Sequence, residues 1–311
     1  MDLDYSATDL VKLFRNNKAS LILGISLLIP FLLIMSAIFQ SWQATFSVQA
    51  QTGVVEIITN ENQPNWALEA ISISVDNNEA EVLDGILTIS KDTKIRFQAL
   101  ADGSIYAVIS PTKMANADSP IIIFDNSLTG STVIATELFE MHFPLSSLTG
   151  QYTFPIQGTL KLGDALHSQI STGNPILMTG SIQVFGDALF GDGRFKALNE
   201  ELEAGDQISL SNRNDEPVVG FGFIGLNQSH SMQLQYHAES DSVEVSRFGS
   251  DGYSVEPTIW DRLSFDPILK IIVDFLTTWI PVVLAFFLIS FRLFDARNEI
   301  IKEESSSENQ N

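Results

Sequence analysis

Two long apolar runs, one near each end of the chain, constrain the fold more than any other feature of this sequence. The first covers Leu21–Phe39 without a single charged residue, and the second covers Ile271–Phe291. A membrane core about 30 Å thick is crossed by a helix of about 20 predominantly apolar residues. We therefore predict two transmembrane helices, over residues 19–41 and 271–293.

The charged residues beside these runs predict how the chain is oriented in the membrane. Basic residues flank each run on the side of the nearer chain end, namely Lys12, Arg15, Lys18, Arg292, Arg297 and Lys302. Lysine and arginine are enriched in cytoplasmic loops and tails. We expect residues 1–18 and 294–311 to be cytoplasmic segments and residues 43–265 to form one extracytoplasmic domain, with two packed sandwiches that divide near residues 145–150 as the alternative.

A cleaved signal peptide is the alternative interpretation of the first run. Val48-Gln49-Ala50 resembles a small-residue cleavage site. However, the run is longer than the 7–15 apolar residues usual in a signal peptide, and roughly ten mostly polar residues separate it from that site. We favour an uncleaved anchor.

One ionisable residue, Asp274, lies inside the second run, about a turn from its outer end. Such groups in membrane helices are candidate functional sites because they are costly to bury in lipid. A structural interpretation is also open, because helix geometry lets Asp274 reach the outer interface beside Lys270.

The charge of the chain belongs mostly to the predicted domain. The whole chain has a net charge of −21, and residues 43–265 contain 28 acidic and 10 basic residues, a net of −18. Because nucleic acids are polyanions bound through lysine and arginine, this balance argues against nucleic-acid binding. Absence of cysteine excludes disulfides, thiol nucleophiles and thiolate metal sites, and favours a bacterial inner-membrane protein.

Residues 43–265 show the pattern of short strands separated by turns. Phe46, Val48 and Ala50 alternate with polar residues, as in a half-buried strand. We predict an all-β, antiparallel sandwich or jelly-roll-like fold, with a short helix only near Leu198–Glu203. Four dipeptides predict tight turns: Asp84-Gly85, Asp102-Gly103, Asp192-Gly193 and Asp251-Gly252.

The sequence contains no strong metal or catalytic motif. Four histidines lie far apart in the sequence: His142, His167, His230 and His237. Asp76–Glu81 superficially resembles a calcium loop, but Ala80 stands at a ligand position and the turn glycine is missing, so calcium binding is a weak alternative to a polar turn. Ser110-Pro111-Thr112-Lys113 has the serine–lysine spacing of penicillin-interacting enzymes without their other motifs.

The most unusual stretch is Gly220-Phe221-Gly222-Phe223. Glycine alternating with phenylalanine indicates a bulge or a close approach of two backbones. We interpret the stretch as a tight crossing in the core, filled by Phe221 and Phe223 together with Phe124, Phe143 and Phe185. An interaction surface at these four residues is the alternative.

These observations favour a non-enzymatic, membrane-anchored envelope protein whose domain binds protein partners in an assembly. We expect no cofactor and no catalytic residues. The alternatives are a ligand- or cation-binding sensor and an envelope enzyme acting on glycans.

Overall fold

The computed structural model describes residues 28–36, 44–75, 80–112, 120–149, 152–163, 177–188, 193–212, 216–228, 231–247 and 251–282, with 285 and 289. The described chain divides into two compact units. One contains the strands and extends to Asp261. The other contains the helical segments 28–36 and 267–282.

Seventeen strands lie within the described residues. The first nine are β1 (Ala44–Thr52), β2 (Val54–Ile58), β3 (Trp66–Val75), β4 (Glu81–Ile89), β5 (Thr93–Ala99), β6 (Ile105–Pro111), β7 (Ile122–Asn126), β8 (Thr132–Ala135) and β9 (Phe139–Phe143). The others are β10 (Tyr152–Leu162), β11 (Leu177–Asp187), β12 (Arg194–Leu202), β13 (Gln207–Ser211), β14 (Val219–Leu226), β15 (Met232–Ser240), β16 (Ser242–Ser246) and β17 (Tyr253–Val255). A short helix, Ile259–Phe265, follows the strands.

The strands form one hydrogen-bonded network with two sections. In the first section the order is β2-β5-β6-β9-β3-β4-β7-β8. In the second it is β12-β11-β1-β15-β14-β10, with β13, β16 and β17 continuing from the far end of β10. The pairing of β10 with β2 joins the sections. Every pairing is antiparallel, which confirms the predicted all-β, sandwich-like fold.

One continuous hydrophobic core lies beneath both sections. In β1, Phe46 and Val48 point into it, as the alternation in the sequence predicts. Where the sections meet, the ring of Trp66 packs against that of Phe154, with 4.7 Å between the centroids and 33° between the planes, and its indole N–H donates to the Pro155 carbonyl at 3.0 Å. Just before β10 begins to pair with β2, buried Gln63 exchanges side-chain hydrogen bonds of 2.6 and 2.7 Å with the backbone of Gln157.

Two local predictions are wrong. Leu198–Glu203 is not helical, because Leu202 is buried at the end of strand β12. A bulge at Ala197 interrupts the alternation of inward and outward residues, so the strand cannot be recognised from the sequence pattern. The second wrong prediction is the turn at Asp84-Gly85, which lies inside β4; Gly85 allows the backbone of Asp125 to come close. Asp102-Gly103, in contrast, forms the predicted turn, with a φ of 83° at Gly103.

Among the described residues, no helix is both long and apolar enough to cross a membrane. Residues 19–27 and 37–41 of the first predicted span, and 283, 284, 286–288 and 290–293 of the second, lie outside the described residues. The predicted cytoplasmic segments, 1–18 and 294–311, also lie outside them.

Candidate functional site: an amide and phenylalanine face

The outward face of the second section carries a block of glutamine side chains. The central strand β1 pairs with β11 on one side and with β15 on the other. Gln49 lies opposite Gln235, and Gln51 lies opposite Gln233. Paired strands are about 4.8 Å apart, so the four side-chain amides form two adjacent pairs on one surface.

This block follows from the alternation of the two strands that carry it. In β15, Leu234 and Tyr236 point into the core, so Gln233 and Gln235 must point outward. The same face continues onto β11, where Gln183 is half-buried and lies opposite Asn199 of β12.

Two exposed phenylalanines border this block on strand β14. Phe221 lies opposite His237, and Phe223 lies opposite Gln235. The two side chains are 62% and 51% exposed. The expectation that they fill the core is therefore wrong, although Phe124 and Phe143 are buried and Phe185 is half-buried. Phe221 and Phe223 alternate with glycines, so the period-2 rule sends both aromatic rings to the outer face.

The glycines between them give β14 its close approach to β15. A Cβ at Gly222 would lie 2.2 Å from the Gln235 carbonyl oxygen, and one at Gly220 would lie 2.7 Å from the ring of Tyr236. Burial raises the pKa of Tyr236, whose hydroxyl donates to the carbonyl of Gly158. The tight crossing predicted from the sequence is thus present on the inner side of β14, while the rings lie on its outer side.

Two grooves lie on this face. The larger, which we call the amide groove, has a volume of about 910 Å³, and its lining includes Gln49, Gln51, Gln183, Gln233, Gln235 and Phe223. The smaller, the phenylalanine recess, has a volume of about 530 Å³, and its lining includes Phe221, Val219 and His237. Both grooves are open to solvent along the sheet.

Three of the strands beneath the amide groove, β1, β14 and β15, carry almost no charge in an otherwise acidic domain. The sequence has no Asp, Glu, Lys or Arg between Pro217 and Ala238, which covers β14 and most of β15, and none from 19 to 55, which covers β1. Glu201, opposite Ser181, is an acidic group on the lining of the groove. The groove can therefore offer hydrogen bonds and an aromatic surface, but little charge.

Most of the glutamine amides on the groove have no hydrogen-bond partner among the described residues. Gln51 donates to the hydroxyl of Ser231 at 2.7 Å. Within the part of the chain that the structure describes, the side chains of Gln49, Gln183, Gln233 and Gln235 form no hydrogen bond. Each of these amides has two N–H donors and a carbonyl acceptor.

The other candidate residues are not gathered into a site. Asp274 is exposed in the helical segment 267–282, where its backbone carbonyl accepts hydrogen bonds of 2.9 Å from Thr277 and Thr278. His142 lies on β9 beside Tyr106, whereas His167 and His230 lie outside the described residues.

The calcium-like stretch and the serine–lysine spacing are described only in part. Residues 76–79 and Lys113 lie outside the described residues, and Ser110 belongs to strand β6. No group of three or more potential metal ligands occurs among the residues that the structure describes.

Sequence reasoning identified Gly220–Phe223 as a possible interaction surface but missed the amide block. A signal for it exists, because glutamine occupies alternate positions in both β1 and β15. The pairing of two strands about 180 residues apart brings these glutamines together, and no local pattern predicts that pairing.

Comparison of the chain with models of protein families, with curated proteins and with solved structures finds no match.

Proposed function

We propose that this chain is a non-enzymatic, membrane-anchored envelope protein whose extracytoplasmic β-domain binds a protein partner in an assembly. The outward, solvent-exposed position of Phe221 carries this proposal. Phenylalanine is enriched at protein interfaces, where a buried aromatic side chain can supply a large share of the binding energy.

The surroundings of Phe221 support a protein as the occupant. Val219 is exposed two residues earlier on the same strand, and the ring of His237 lies 5.8 Å from that of Phe221. Arg194 and Glu239 line the same recess. An apolar centre beside groups of both signs resembles the organisation of protein interfaces, in which a polar rim surrounds an apolar core.

Exposed apolar side chains in both helical segments support the proposed anchoring. In the segment 28–36 these residues are Leu28, Ile29, Phe31 and Leu32. In the segment 267–282 they are Ile271, Phe275, Trp279, Ile280 and Val282. Large exposed apolar surfaces mark contact with lipid or with other proteins, and the flanking basic residues favour an orientation with both ends cytoplasmic.

Site-specific photo-cross-linking in native membranes tests the partner surface. Phe221 is replaced by benzoylphenylalanine, and the matched control carries the same group at Ile134, which is 57% exposed on β8 of the other section. We expect one discrete protein adduct from position 221 and none from position 134. The same protein should co-purify with the wild-type chain at a fixed ratio and be lost with Phe221→Ser.

The proposal fails if positions 221 and 134 give the same adducts, or if Phe221→Ser leaves the co-purifying protein unchanged. Topology is tested separately, because the absence of cysteine permits single-cysteine labelling. We expect a membrane-impermeant maleimide to label Leu128→Cys in intact cells, and Ser306→Cys only after permeabilisation. The reverse pattern would contradict the orientation.

A further inference from the structure

We propose that the amide groove binds a neutral oligosaccharide. This inference goes beyond the protein-binding proposal and does not depend on it, because it rests on the glutamine block and Phe223 rather than on Phe221.

The amides match the chemistry of a sugar. Each hydroxyl of a sugar donates one hydrogen bond and accepts others, and a side-chain amide also offers both functions. Gln49 and Gln235 are cross-strand neighbours, as are Gln51 and Gln233. Neighbouring amides about 4.8 Å apart present repeated donors and acceptors, as a chain of linked sugars requires.

Phe223 supplies the second element of a sugar site. Its exposed ring lies opposite Gln235, at the border of the glutamine block. Sugar rings carry C–H groups on their faces, and these pack against the electron-rich face of an aromatic ring. A ring beside hydrogen-bonding amides therefore binds both the apolar face and the polar edge of a sugar.

The charge of the groove selects against ionic ligands. An anionic glycan or a phosphate would need lysine or arginine, and the lining of the amide groove contains neither. A divalent cation would need several carboxylate or carbonyl ligands, whereas Glu201 is the carboxylate among the lining residues. A neutral ligand avoids both mismatches, in a domain whose net charge of −18 repels anions.

The strand pairing argues against an added peptide strand. A peptide that extends a sheet needs a strand with an unpaired backbone edge. The three strands beneath the glutamines, β11, β1 and β15, are each paired on both sides. A ligand on this face must therefore interact with side chains. The face extends over five strands from β14 to β12, roughly 19 Å at the usual strand spacing, which accommodates several linked sugar units.

Titration calorimetry on the full chain in lipid nanodiscs tests the proposal. Glycoside detergents are avoided because their sugar headgroups would compete. The probes are neutral cello-, malto-, xylo- and chito-oligosaccharides, with oligogalacturonate as the anionic comparison. We expect at least one neutral series to bind, with affinity rising with chain length, and the anionic probe not to bind.

The variants locate the binding in the groove. Losing one hydrogen bond of about 1–1.5 kcal/mol weakens binding roughly tenfold. We therefore expect Gln49→Ala and Gln235→Ala each to weaken binding about tenfold, and Phe223→Ala to weaken it at least as much. The matched control is Gln98→Ala, a half-buried glutamine on β5 of the first section, which should bind like the wild type.

Three results would overturn the proposal: no binding by any neutral probe, stronger binding of oligogalacturonate, or equal effects of Gln49→Ala and Gln98→Ala. If Phe223→Ala abolishes instead a concentration-dependent self-association of empty chains, the occupant is a second copy and the sugar proposal is wrong. None of these results affects cross-linking at position 221, so the two proposals fail separately.

Discussion

The two sections of the β-domain share one core, but the outward side chains of the pair β2–β5 differ in chemistry from those of the pair β1–β15. On the first section, Glu56 of β2 forms ion pairs with Lys94 and Arg96 of the neighbouring strand β5, at 2.8 and 3.4 Å. On the second section, the equivalent outward positions of β1 and β15 carry the glutamine block. On β2 and β5 these charged groups pair with one another, whereas most of the glutamine amides on β1 and β15 form no hydrogen bond within the described residues.

This difference separates the requirements of folding from those of binding. The inward positions of both sections carry the same kind of side chain, a buried hydrophobic one, as Phe97 of β5 and Phe46 of β1 illustrate. The outward positions differ, because β2 and β5 carry charged residues and β1 and β15 carry glutamines. A network of cross-strand ion pairs limits what else can bind, because each group already has a partner of opposite charge. Uncharged amides beside exposed rings have no such partner, so we assign binding to the second section.

The largest expected effect tests whether the sections depend on one core. Phe154 packs against Trp66 and stacks on Phe97, at 4.7 and 6.2 Å between centroids, and thereby joins β10 to the first section. Replacing a buried phenylalanine by alanine costs about 3–5 kcal/mol. We expect Phe154→Ala to lower the free energy of unfolding by that amount, in a single transition monitored by circular dichroism during denaturant unfolding.

The matched control is Phe223→Ala, since this ring is exposed and its removal should change stability by no more than about 0.5 kcal/mol. Two separate transitions in the Phe154→Ala variant, or equal losses in both variants, would contradict the idea of a shared core with a specialised outer face.

The next effect tests the backbone geometry that presents the rings. A Cβ at Gly222 would meet the backbone of β15, whereas the nearest atom to a Cβ at Gly225 is 3.7 Å away. Overpacking of this kind costs about 1–3 kcal/mol. We expect Gly222→Ala to be destabilised by that amount and Gly225→Ala to be nearly neutral in thermal unfolding. Equal melting temperatures for the two variants would show that β14 does not need its close approach to β15.

How far the sequence predicts this molecule depends on whether a feature is local. The alternation around Phe46 predicts strand β1 because each inward residue is visible in the sequence itself. In the second half of strand β12 the sequence instead predicts a short helix near Leu198–Glu203, because the bulge at Ala197 breaks the period and the glutamates resemble a solvated helical face. A bulge depends on the partner strand, so residues 194–202 alone do not reveal it.

The candidate site was only half predictable for the same reason. Glycine and phenylalanine at Gly220–Phe223 are unusual in any strand and therefore visible. Which face the rings occupy depends on Tyr236 filling the space beneath Gly220, and that contact exists only after β14 and β15 pair. The glutamine block requires the pairing of β1 with β15, which is a still longer-range event.

An ion pair in the second section joins a buried carboxylate, Asp206, to the guanidinium of Arg247, whose side chain is 28% exposed. Arg247 donates two hydrogen bonds of 2.9 Å to the carboxylate of Asp206, which also accepts the backbone N–H of Glu203 at 2.9 Å. Burial alone would raise the pKa of Asp206, but these hydrogen bonds and the guanidinium charge outweigh it and hold the pKa below its ordinary value.

Folding lowers the pKa of Asp206. Its contribution to stability is therefore present at pH values above its ordinary pKa of 3.8, and it is lost as the pH falls through its lower pKa in the folded state. We expect Asp206→Asn to lower the free energy of unfolding at pH 7 by about 2 kcal/mol, the scale of charged hydrogen bonds. The difference between wild type and variant should shrink in unfolding curves measured at progressively lower pH. A difference that grows on acidification would contradict this assignment.

The smallest expected effect tests the charged face itself. The side chain of Glu56 is 14% exposed, and both of its basic partners are partly open to solvent. Such pairs contribute about 0.2–1 kcal/mol and weaken as salt screens them. We expect Glu56→Gln to lose that amount at low ionic strength and less in 1 M salt, as measured by denaturant unfolding. Gln49→Ala should show no salt dependence, because no charge is removed. If both variants respond alike to salt, the division into a charged and an uncharged face does not describe the energetics of the domain.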